Sequence, residues 1–566
     1  MNHMNMKTRY AVTPIHAVLV AAMVLLLSMT ASATTPGITA AAPATGTSTS
    51  TFNLTATDGY ITQPDGTQIY SWGVGCSGAA TYAPAIFQSL GFCPVMQVPS
   101  PTLIVNEGEK VTITLTNSLP KGAGSTSLVF PGFTVTATGG TPGLLTNEAA
   151  NGGGTVTYSF TATTPGTRAY YSGTQTDLQV EMGIYGAIVV LPTQTATFSN
   201  CTPIGSDTFQ KLGIGNPGGI DFRLAPAAYD HPETCYDREY LFQFMELDPA
   251  IHRQAEVQKM AIANCVAPTT AGAPPCPTVM DVKTEPYHPR YFLINGRSMP
   301  DDMDPDYAPN YPNQPYNGNP HMHPGDLTLL RTIGQGHWEH PFHEHANHVR
   351  ILARDGNLIL SQNDTQVPAR LAGRMEFTTD TYPGQSYDGI FYWTGKGLGW
   401  DIFGHTPASA NNQPCIPNAN GYYTPTNPPS SISNYYEWCG DHNHPLEANP
   451  AGGAGSAPNP ITSGGTTTSG QIGGGGPASQ FDPLVATNGL WYNGTPYLGH
   501  TAVENNRGAT PLVPGSASQN PLAESGLAFM WHSHNEREIT TNDVFPGGML
   551  MMMLVDPSDW YIDETL

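Results

Sequence analysis

The chain has 566 residues, of which only 11% are charged, whereas glycine (61) and proline (52) are abundant. This turn-rich composition favours a β fold and argues against a helical one. The formal net charge of −23 argues against nucleic acids and anionic membrane surfaces as partners.

The first 33 residues have the features of a secretory signal peptide. Lys7 and Arg9 precede an apolar run over residues 17–29, and Ala31-Ser32-Ala33 offers a small-residue cleavage site. An uncleaved membrane anchor is the alternative interpretation. The apolar run argues against it, because it is too short to cross a bilayer comfortably. We therefore expect export to the periplasm or the extracellular space, with no membrane association after cleavage.

Eight cysteines follow this segment, and none lies in a CxxC pair. An even number of cysteines in an exported chain indicates disulfides. A cysteine copper ligand is the rival interpretation, but no cysteine adjoins a histidine cluster. Proximity along the chain suggests a connectivity without proving it: Cys76–Cys93, Cys201–Cys235, Cys265–Cys276 and Cys415–Cys439.

Residues 34–60 begin with a Thr/Ala/Ser/Pro-rich stretch and are predicted to form a flexible leader. Over residues 61–195, short runs of β-branched residues separated by Gly and Pro predict a first Greek-key β-sandwich. Its clearest strands are Thr102–Val105, Val111–Leu115, Val156–Phe160 and Gly186–Leu191.

Residues 196–566 are predicted to form a second sandwich with a long insertion at about 394–524. Both strand series follow one plan, which indicates two copies of one β-sandwich. The sequence thus predicts an all-β fold, with one short helix over Ile251–Asn264. The strands predicted here are Glu239–Glu246, Tyr291–Asn295, Leu327–Ile333, His348–Ala353, Met375–Thr379, Tyr387–Trp393, Leu527–His532 and Met549–Val555.

Two histidine clusters in the second series are the strongest chemical signal. One reads His340-Pro-Phe-His343-Glu-His345, and the other reads His532-Ser-His534 and is followed by Gly548-Met549. Alternate residues of a strand share a face, so two such strands side by side could aim four imidazoles at one point. Imidazole suits Cu(II) or Zn(II). The alternative is a relic site whose histidines form hydrogen bonds in a polar core.

These motifs resemble the third and fourth copper motifs of the multicopper oxidase (cupredoxin) family, HPxHxH and HCHxxxH ending in GM. The resemblance covers roughly residues 95–192 and 237–556 and implies two cupredoxin-like Greek-key β-sandwiches. It implies that His340 is a type 1 copper ligand, with Met549 near a metal. It also implies that four histidines face a type 2/type 3 copper cluster, namely His343, His345, His532 and His534.

The sequence departs from the family pattern at several ligands. Ser533 replaces the type 1 cysteine and cannot provide the thiolate of a blue copper site. Glu538 stands where the family has its next histidine. The first family motif, HxHG, would fall near Val129-Phe-Pro-Gly132 and the second, HSH, on Tyr171-Ser-Gly173, so the first sandwich lacks all four histidines. We therefore expect a mononuclear or partly occupied copper site.

Several further residues are weaker candidates for metal chemistry. Second-shell support for the ligands could come from Glu344, Glu536 or Asp543. Surface, turn, loop or core roles are the favoured interpretation for His337, His348, His321-Met322-His323, His442, His444 and Met551–Met553. The acidic run Asp301–Asp306 resembles a calcium loop but lacks the glycine and terminal glutamate of an EF-hand, which favours a solvated loop.

Two functions from different classes follow. The first is an exported, copper-binding oxidoreductase that couples oxidation of a small reductant or metal ion to oxygen. The second is a non-catalytic copper-binding or extracellular structural protein, which the lost thiolate and the missing ligands favour. A homo-oligomer in which subunits complete one another's sites is a third alternative, and the missing histidines of the first sandwich weaken it.

Overall fold

The protein is described by a computed structural model. It describes residues 35–40, 49–77, 81–84, 86–87, 93, 96–193, 227–269, 272–322, 326–362, 364–365, 367–392, 527–555 and 562–565. The predicted signal peptide over residues 1–33 and the predicted insertion at about 394–524 lie outside the described residues.

The first sandwich contains two five-stranded sheets and a separate two-stranded hairpin. Its strands are β1 (Gly37–Thr39), β2 (Thr49–Thr62), β3 (Gln68–Cys76), β4 (Thr81–Ala83), β5 (Leu103–Asn106), β6 (Lys110–Asn117), β7 (Thr136–Gly139), β8 (Thr141–Pro142), β9 (Asn147–Glu148), β10 (Thr155–Thr161), β11 (Gly166–Tyr171) and β12 (Tyr185–Leu191). One sheet has the order β11-β12-β5-β1-β4 and the other β3-β2-β6-β10-β7, while β8 pairs with β9. A short helix, α1 (Thr176–Gln179), connects β11 to β12.

The alternating sequence of β6 explains why this segment forms a strand. Its sequence alternates apolar residues with threonines, and Val111, Ile113 and Leu115 are fully buried. A period of two places all three side chains on the face that covers the core, and the threonines on the other face. The same alternation in β10 lets the two strands pair in register, with Val156 opposite Leu115.

The second sandwich contains a seven-stranded and a five-stranded sheet. Its strands are β13 (Arg238–Leu247), β14 (Tyr291–Ile294), β15 (His321–Met322), β16 (Leu327–Gly334), β17 (His340–Glu344), β18 (Val349–Arg354), β19 (Asn357–Leu358), β20 (Met375–Glu376), β21 (Thr378–Thr381), β22 (Ser386–Tyr392), β23 (Leu527–Ser533) and β24 (Leu550–Val555). The larger sheet has the order β14-β13-β16-β22-β18-β19, with β20 paired to β18, and the smaller β15-β24-β23-β17-β21.

Helical structure within the described residues is limited. Helix α2 (Pro249–Asn264) follows β13, and a 3₁₀ turn covers Asp301–Met303. Asp248 caps α2, because its Oδ1 accepts the Ala250 N–H at 2.8 Å, and proline at the first helical position needs no donor. The predicted all-β fold with one short helix near residues 251–264 is confirmed.

Strand β13 is buried along all ten residues, which departs from simple alternation. One face packs in the core of the second sandwich through Phe242 and Phe244. On the other face, Leu241 and Ile333 pack against Ala169 of the first sandwich. A strand that is covered on both sides has no solvent-exposed face, and all of its residues are therefore buried.

The two sandwiches share one strand-pairing plan, as the sequence predicts. Strand β2 runs parallel to β6 and antiparallel to β3. Strand β13 likewise runs parallel to β16 and antiparallel to β14. In the facing sheets, β12 is parallel to β5 and β24 is parallel to β15.

The structure corrects the prediction that residues 34–60 form a flexible leader. Thr49–Thr62 forms β2, the longest strand of its sandwich, and Gly37–Thr39 forms β1. The Thr/Ser-rich composition suggested disorder, but threonine is favourable in strands. Phe52 and Leu54 fill the core from alternate positions of β2, so the first sandwich begins well before residue 61.

Two of the expected disulfides are present, Cys76–Cys93 and Cys265–Cys276. Cys235 is also disulfide-bonded, whereas Cys201, Cys415 and Cys439 lie outside the described residues. Among the helices that the structure describes, we find none with the length and apolar character needed to cross a membrane.

Candidate metal centre

The two histidine motifs lie on neighbouring strands of the five-stranded sheet. Strands β17 and β23 pair antiparallel, with His343 directly opposite His532. Alternation along both strands turns Phe342 and Trp531 into the core, where both are fully buried. Four of the predicted histidines therefore occupy the outer face of the sheet, and we call them the histidine cluster: His343, His345, His532 and His534.

The imidazoles of this cluster converge. The nearest ligand atoms of His343, His345 and His532 all lie within 4.8 Å of one another. His345 Nε2 and His532 Nε2 are 3.2 Å apart. Two nitrogens bound to one ion at 2.0–2.1 Å in a tetrahedral arrangement are about 3.3 Å apart, so this pair fits a shared ion.

Hydrogen bonds orient two of the rings. His532 Nδ1 lies 2.7 Å from the Ser533 carbonyl oxygen, which can only accept, so the ring proton lies on Nδ1. His343 Nδ1 lies 2.7 Å from Thr378 Oγ1 on β21. Such partners leave Nε2 free to bind a metal and hold the ring in place. The Thr378 contact could not be identified from the sequence, although its strand was predicted.

Burial favours the neutral form of His343 and His532. Burial, reinforced by the neighbouring imidazoles of His345, His532 and His534, lowers the pKa of His343 to about 3. Burial also lowers the pKa of His532. Neutral imidazole is the form that binds a metal, so these rings need not lose a proton at neutral pH.

The fourth histidine lies at the edge of the cluster. The ring of His534 is 4.8 Å from that of His343, between centroids, and 5.7 Å from that of His532. Its side chain is 52% exposed, whereas His343 and His532 are each 7% exposed. His343 and His532 are thus buried and His345 is half-buried, and His534 borders these three on the solvent side.

The structure does not bring His340 and Met549 to this group. His340 faces the sandwich interior, with Nε2 2.9 Å from Glu246 Oε2 and Nδ1 3.0 Å from Glu538 Oε2. Burial lowers the pKa of His340, but the hydrogen bonds and charges of both carboxylates outweigh it and raise the pKa to about 9. Met549 packs in the apolar core. No sequence signal connects Glu246 with His340, because the two residues are 94 positions apart.

Two of the three carboxylates predicted to support the metal ligands, Glu344 and Asp543, lie away from the cluster. Glu344 faces inward and accepts a hydrogen bond from Tyr387, and burial raises its pKa well above the usual value. Asp543 pairs with Arg290 and Arg537. Only Glu536 approaches the cluster, 3.7 Å from His534 Nδ1.

The flanking residues mostly have structural roles. His337 contacts the Asp177 carbonyl, and His348 packs edge-on against Phe377. Met551 and Met553 lie in the core, as predicted. His323, His442 and His444 lie outside the described residues.

The structure corrects the prediction that the acidic run Asp301–Asp306 is a solvated loop. The loop wraps around Arg297, which is fully buried. Arg297 Nη1 donates to the carbonyl oxygens of Asp301, Asp304 and Pro305 at 3.0–3.4 Å. A guanidinium group therefore occupies the centre of the loop, where a calcium site would hold its ion.

Comparison with known proteins bears on the first sandwich. Residues 95–195 match the family model described as "Multicopper oxidase". Over that segment the chain is similar to a multicopper oxidase domain. The match confirms the predicted resemblance over that segment, and no curated protein sequence matches the chain.

Solved structures with a similar fold include several copper proteins. A multicopper oxidase, mgLAC, shares 14% identity, with 90% of this chain and 89% of that chain covered and a TM-score of 0.39. A blue copper oxidase from Nitrosomonas europaea also shares 14% identity, with 89% and 85% covered and a TM-score of 0.39. A copper nitrite reductase from Nitrosomonas europaea shares 16% identity, with 61% and 85% covered and a TM-score of 0.35.

Proposed function

We propose that the chain binds a copper ion through the histidine cluster of the second sandwich and acts as an oxidoreductase. The observation that carries the proposal is the convergence of His343, His345 and His532 to within 4.8 Å. Imidazole ligands alone suit copper, zinc and other transition ions. The multicopper oxidase domain over residues 95–195 favours copper.

A copper ion held there would supply one-electron redox chemistry. The chain's own residues contribute the setting. Thr378 and the Ser533 carbonyl orient two rings, and burial keeps those rings unprotonated. The exposed edge at His534 leaves one side of the group open to a small reductant or a metal ion, which we propose as substrate.

We also propose that the protein is exported. The signal-like segment over residues 1–33 and the disulfides at Cys76–Cys93 and Cys265–Cys276 favour an oxidising compartment, since such bonds are rare in the cytosol. The net charge of −23 argues against nucleic acid and anionic membranes as partners.

A non-catalytic copper-binding protein is the second candidate. It is favoured by Ser533 in the place of the thiolate and by the lack of family-type histidines in the first sandwich. Both candidates use the same histidine cluster, so copper binding alone does not distinguish them. Turnover does.

The test begins with elemental analysis of the purified mature chain, followed by copper loading and electron paramagnetic resonance. Oxygen uptake is then measured with small organic reductants and with ferrous, cuprous and manganous ions. We compare the chain with His343→Ala and His532→Ala, and with His348→Ala as a matched control outside the buried group.

We expect copper binding that is lost in both cluster variants and retained in His348→Ala. Oxygen uptake that follows the same pattern supports the oxidoreductase. Stoichiometric copper without turnover supports the binding protein instead. A chain that takes up no copper at any loading contradicts both.

A further inference from the structure

The inner face of the same strands holds a second group of polar residues. His340 lies on β17, Glu246 lies on β13 of the facing sheet, and Glu538 follows β23 in the chain. All three are fully buried. Together with Ser533, they form what we call the inner ion cluster.

Every member of this cluster binds another member. His340 lies 2.9 Å from Glu246 through Nε2 and 3.0 Å from Glu538 through Nδ1. Ser533 Oγ donates to Glu538 Oε2 at 2.5 Å. Asn535 Nδ2 donates to Glu538 Oε1 at 2.9 Å, so both oxygens of that carboxylate are engaged.

Glu246 is held just as firmly. Its Oε1 accepts the backbone N–H groups of His337 and Trp338 at 2.8 and 2.9 Å, and the hydroxyl of Tyr287 at 3.0 Å. Buried charges are stable only when paired and hydrogen-bonded, and these contacts satisfy that condition. The group is a completed structure that needs no further cation.

The position matters because of the family resemblance. His340, Ser533 and Glu538 stand where that resemblance places the type 1 copper ligands, and Met549 follows close by in the fold. A copper ligand must present a nitrogen lone pair to the metal, whereas each ring nitrogen of His340 faces a carboxylate. These residues do not fit a type 1 copper ion.

We infer that a protonated His340, clamped between Glu246 and Glu538, takes the place of the type 1 copper ion in this chain. The imidazolium supplies the positive charge at that position and joins the two sheets of the second sandwich. The inner face then binds no metal, and among the described residues the metal chemistry belongs to the histidine cluster on the outer face.

The decisive experiment is ¹⁵N nuclear magnetic resonance of the histidine-labelled, metal-free protein at neutral pH. We expect one imidazole with protons on both ring nitrogens, whose signal is absent from His340→Gln. A neutral His340 with one unprotonated nitrogen overturns the inference. This measurement involves no metal, so its outcome is independent of whether the outer histidine cluster binds copper.

A copper titration provides a second, independent test that does not require the His340 variant to fold. In His343→Ala/His532→Ala the outer group loses two of its three converging imidazoles, and the inner ion cluster is intact. We expect no bound copper and no blue absorption in this double variant. Copper bound there and coordinated by a histidine nitrogen of His340, seen as a copper-induced loss of its ¹⁵N signal, contradicts the inference.

Discussion

The two sandwiches can be compared at the same pair of strands. In the second, His343 faces His532 across β17 and β23. In the first, Val129 faces Tyr171, the last residue of β11, through an isolated antiparallel bridge. The strand pairing matches, yet residues 17–230 contain no histidine at all. The fold thus repeats this strand pairing in both sandwiches, and among the described residues only the second places converging imidazoles there.

The first sandwich is repacked at this place as well as lacking ligands. Ser172 Oγ and Thr126 Oγ1 both donate to Gln179 Oε1 at 2.7 Å. A Cβ atom on Gly173 would lie 2.8 Å from Val129 Cγ1. A histidine at Gly173 would therefore require the Val129 side chain to shift.

The largest expected contrast concerns pH, because only the second sandwich carries titrating histidines. His343 has a lowered pKa of about 3, so its contribution to stability is present above pH 6.5 and is lost as pH falls from there. His340 has a raised pKa of about 9, so its contribution is present below pH 6.5 and is lost as pH rises through 9. Each effect is on the order of a few kcal/mol.

Urea unfolding of the metal-free chain across pH 4–10 measures this contrast. We expect the greatest stability at about pH 7, between the two shifted pKa values. His343→Ala should flatten the acid side of the profile, and His340→Gln the alkaline side. Identical pH profiles for the chain and both variants would contradict the assignment of opposite protonation states to the two faces of β17.

The next effect is stabilisation by copper. A ligand at about 100 times its dissociation constant stabilises the folded state by about 2.7 kcal/mol. We expect thermal unfolding of the chain to shift upward with copper, and the shift to disappear in His343→Ala. His348→Ala, which alters a histidine that packs on Phe377, should keep the shift. An equal shift in His343→Ala would place the bound ion elsewhere.

A smaller change should follow from removing the hydroxyl that orients His343. Thr378→Val should weaken copper binding by about 10–100-fold, the usual cost of losing a partner of a metal ligand. Thr381→Val is the matched control, since Thr381 lies on the same strand but donates to the His340 carbonyl oxygen. Isothermal titration calorimetry compares the two, and equal affinities would remove Thr378 from the site.

The weakest effect is expected from giving the first sandwich a pair of imidazoles. Val129→His/Tyr171→His would place two rings opposite each other in the arrangement of His343 and His532. Because two ligands are fewer than three, we expect weak metal binding, with stabilisation below about 1 kcal/mol at metal concentrations near the dissociation constant. The test measures zinc-dependent thermal shifts in the His343→Ala background, so that the shifts report the new pair. The absence of a shift would show that strand pairing alone does not align the rings.

Local patterns explain which features could be predicted. Alternating apolar residues located strands such as β6 and β10 to within about two residues, and HxH spacing predicted that His532 and His534 share a face. The Glu246–His340 contact could not be predicted, because it joins facing sheets across 94 positions. The contacts of Arg297 could not be predicted either, because its carbonyl partners depend on how the loop closes. Strand β2 was not predicted because its polar composition suggested disorder.

The loop around Arg297 has a practical consequence. A calcium-filled loop loosens when a chelator removes its ion, whereas this guanidinium is covalently part of the chain and engages three carbonyl oxygens. EDTA treatment would therefore remove the proposed copper ion from the histidine cluster without disturbing this loop. A metal-free preparation should keep the loop's architecture, which makes demetallation a clean way to isolate the contribution of the ion.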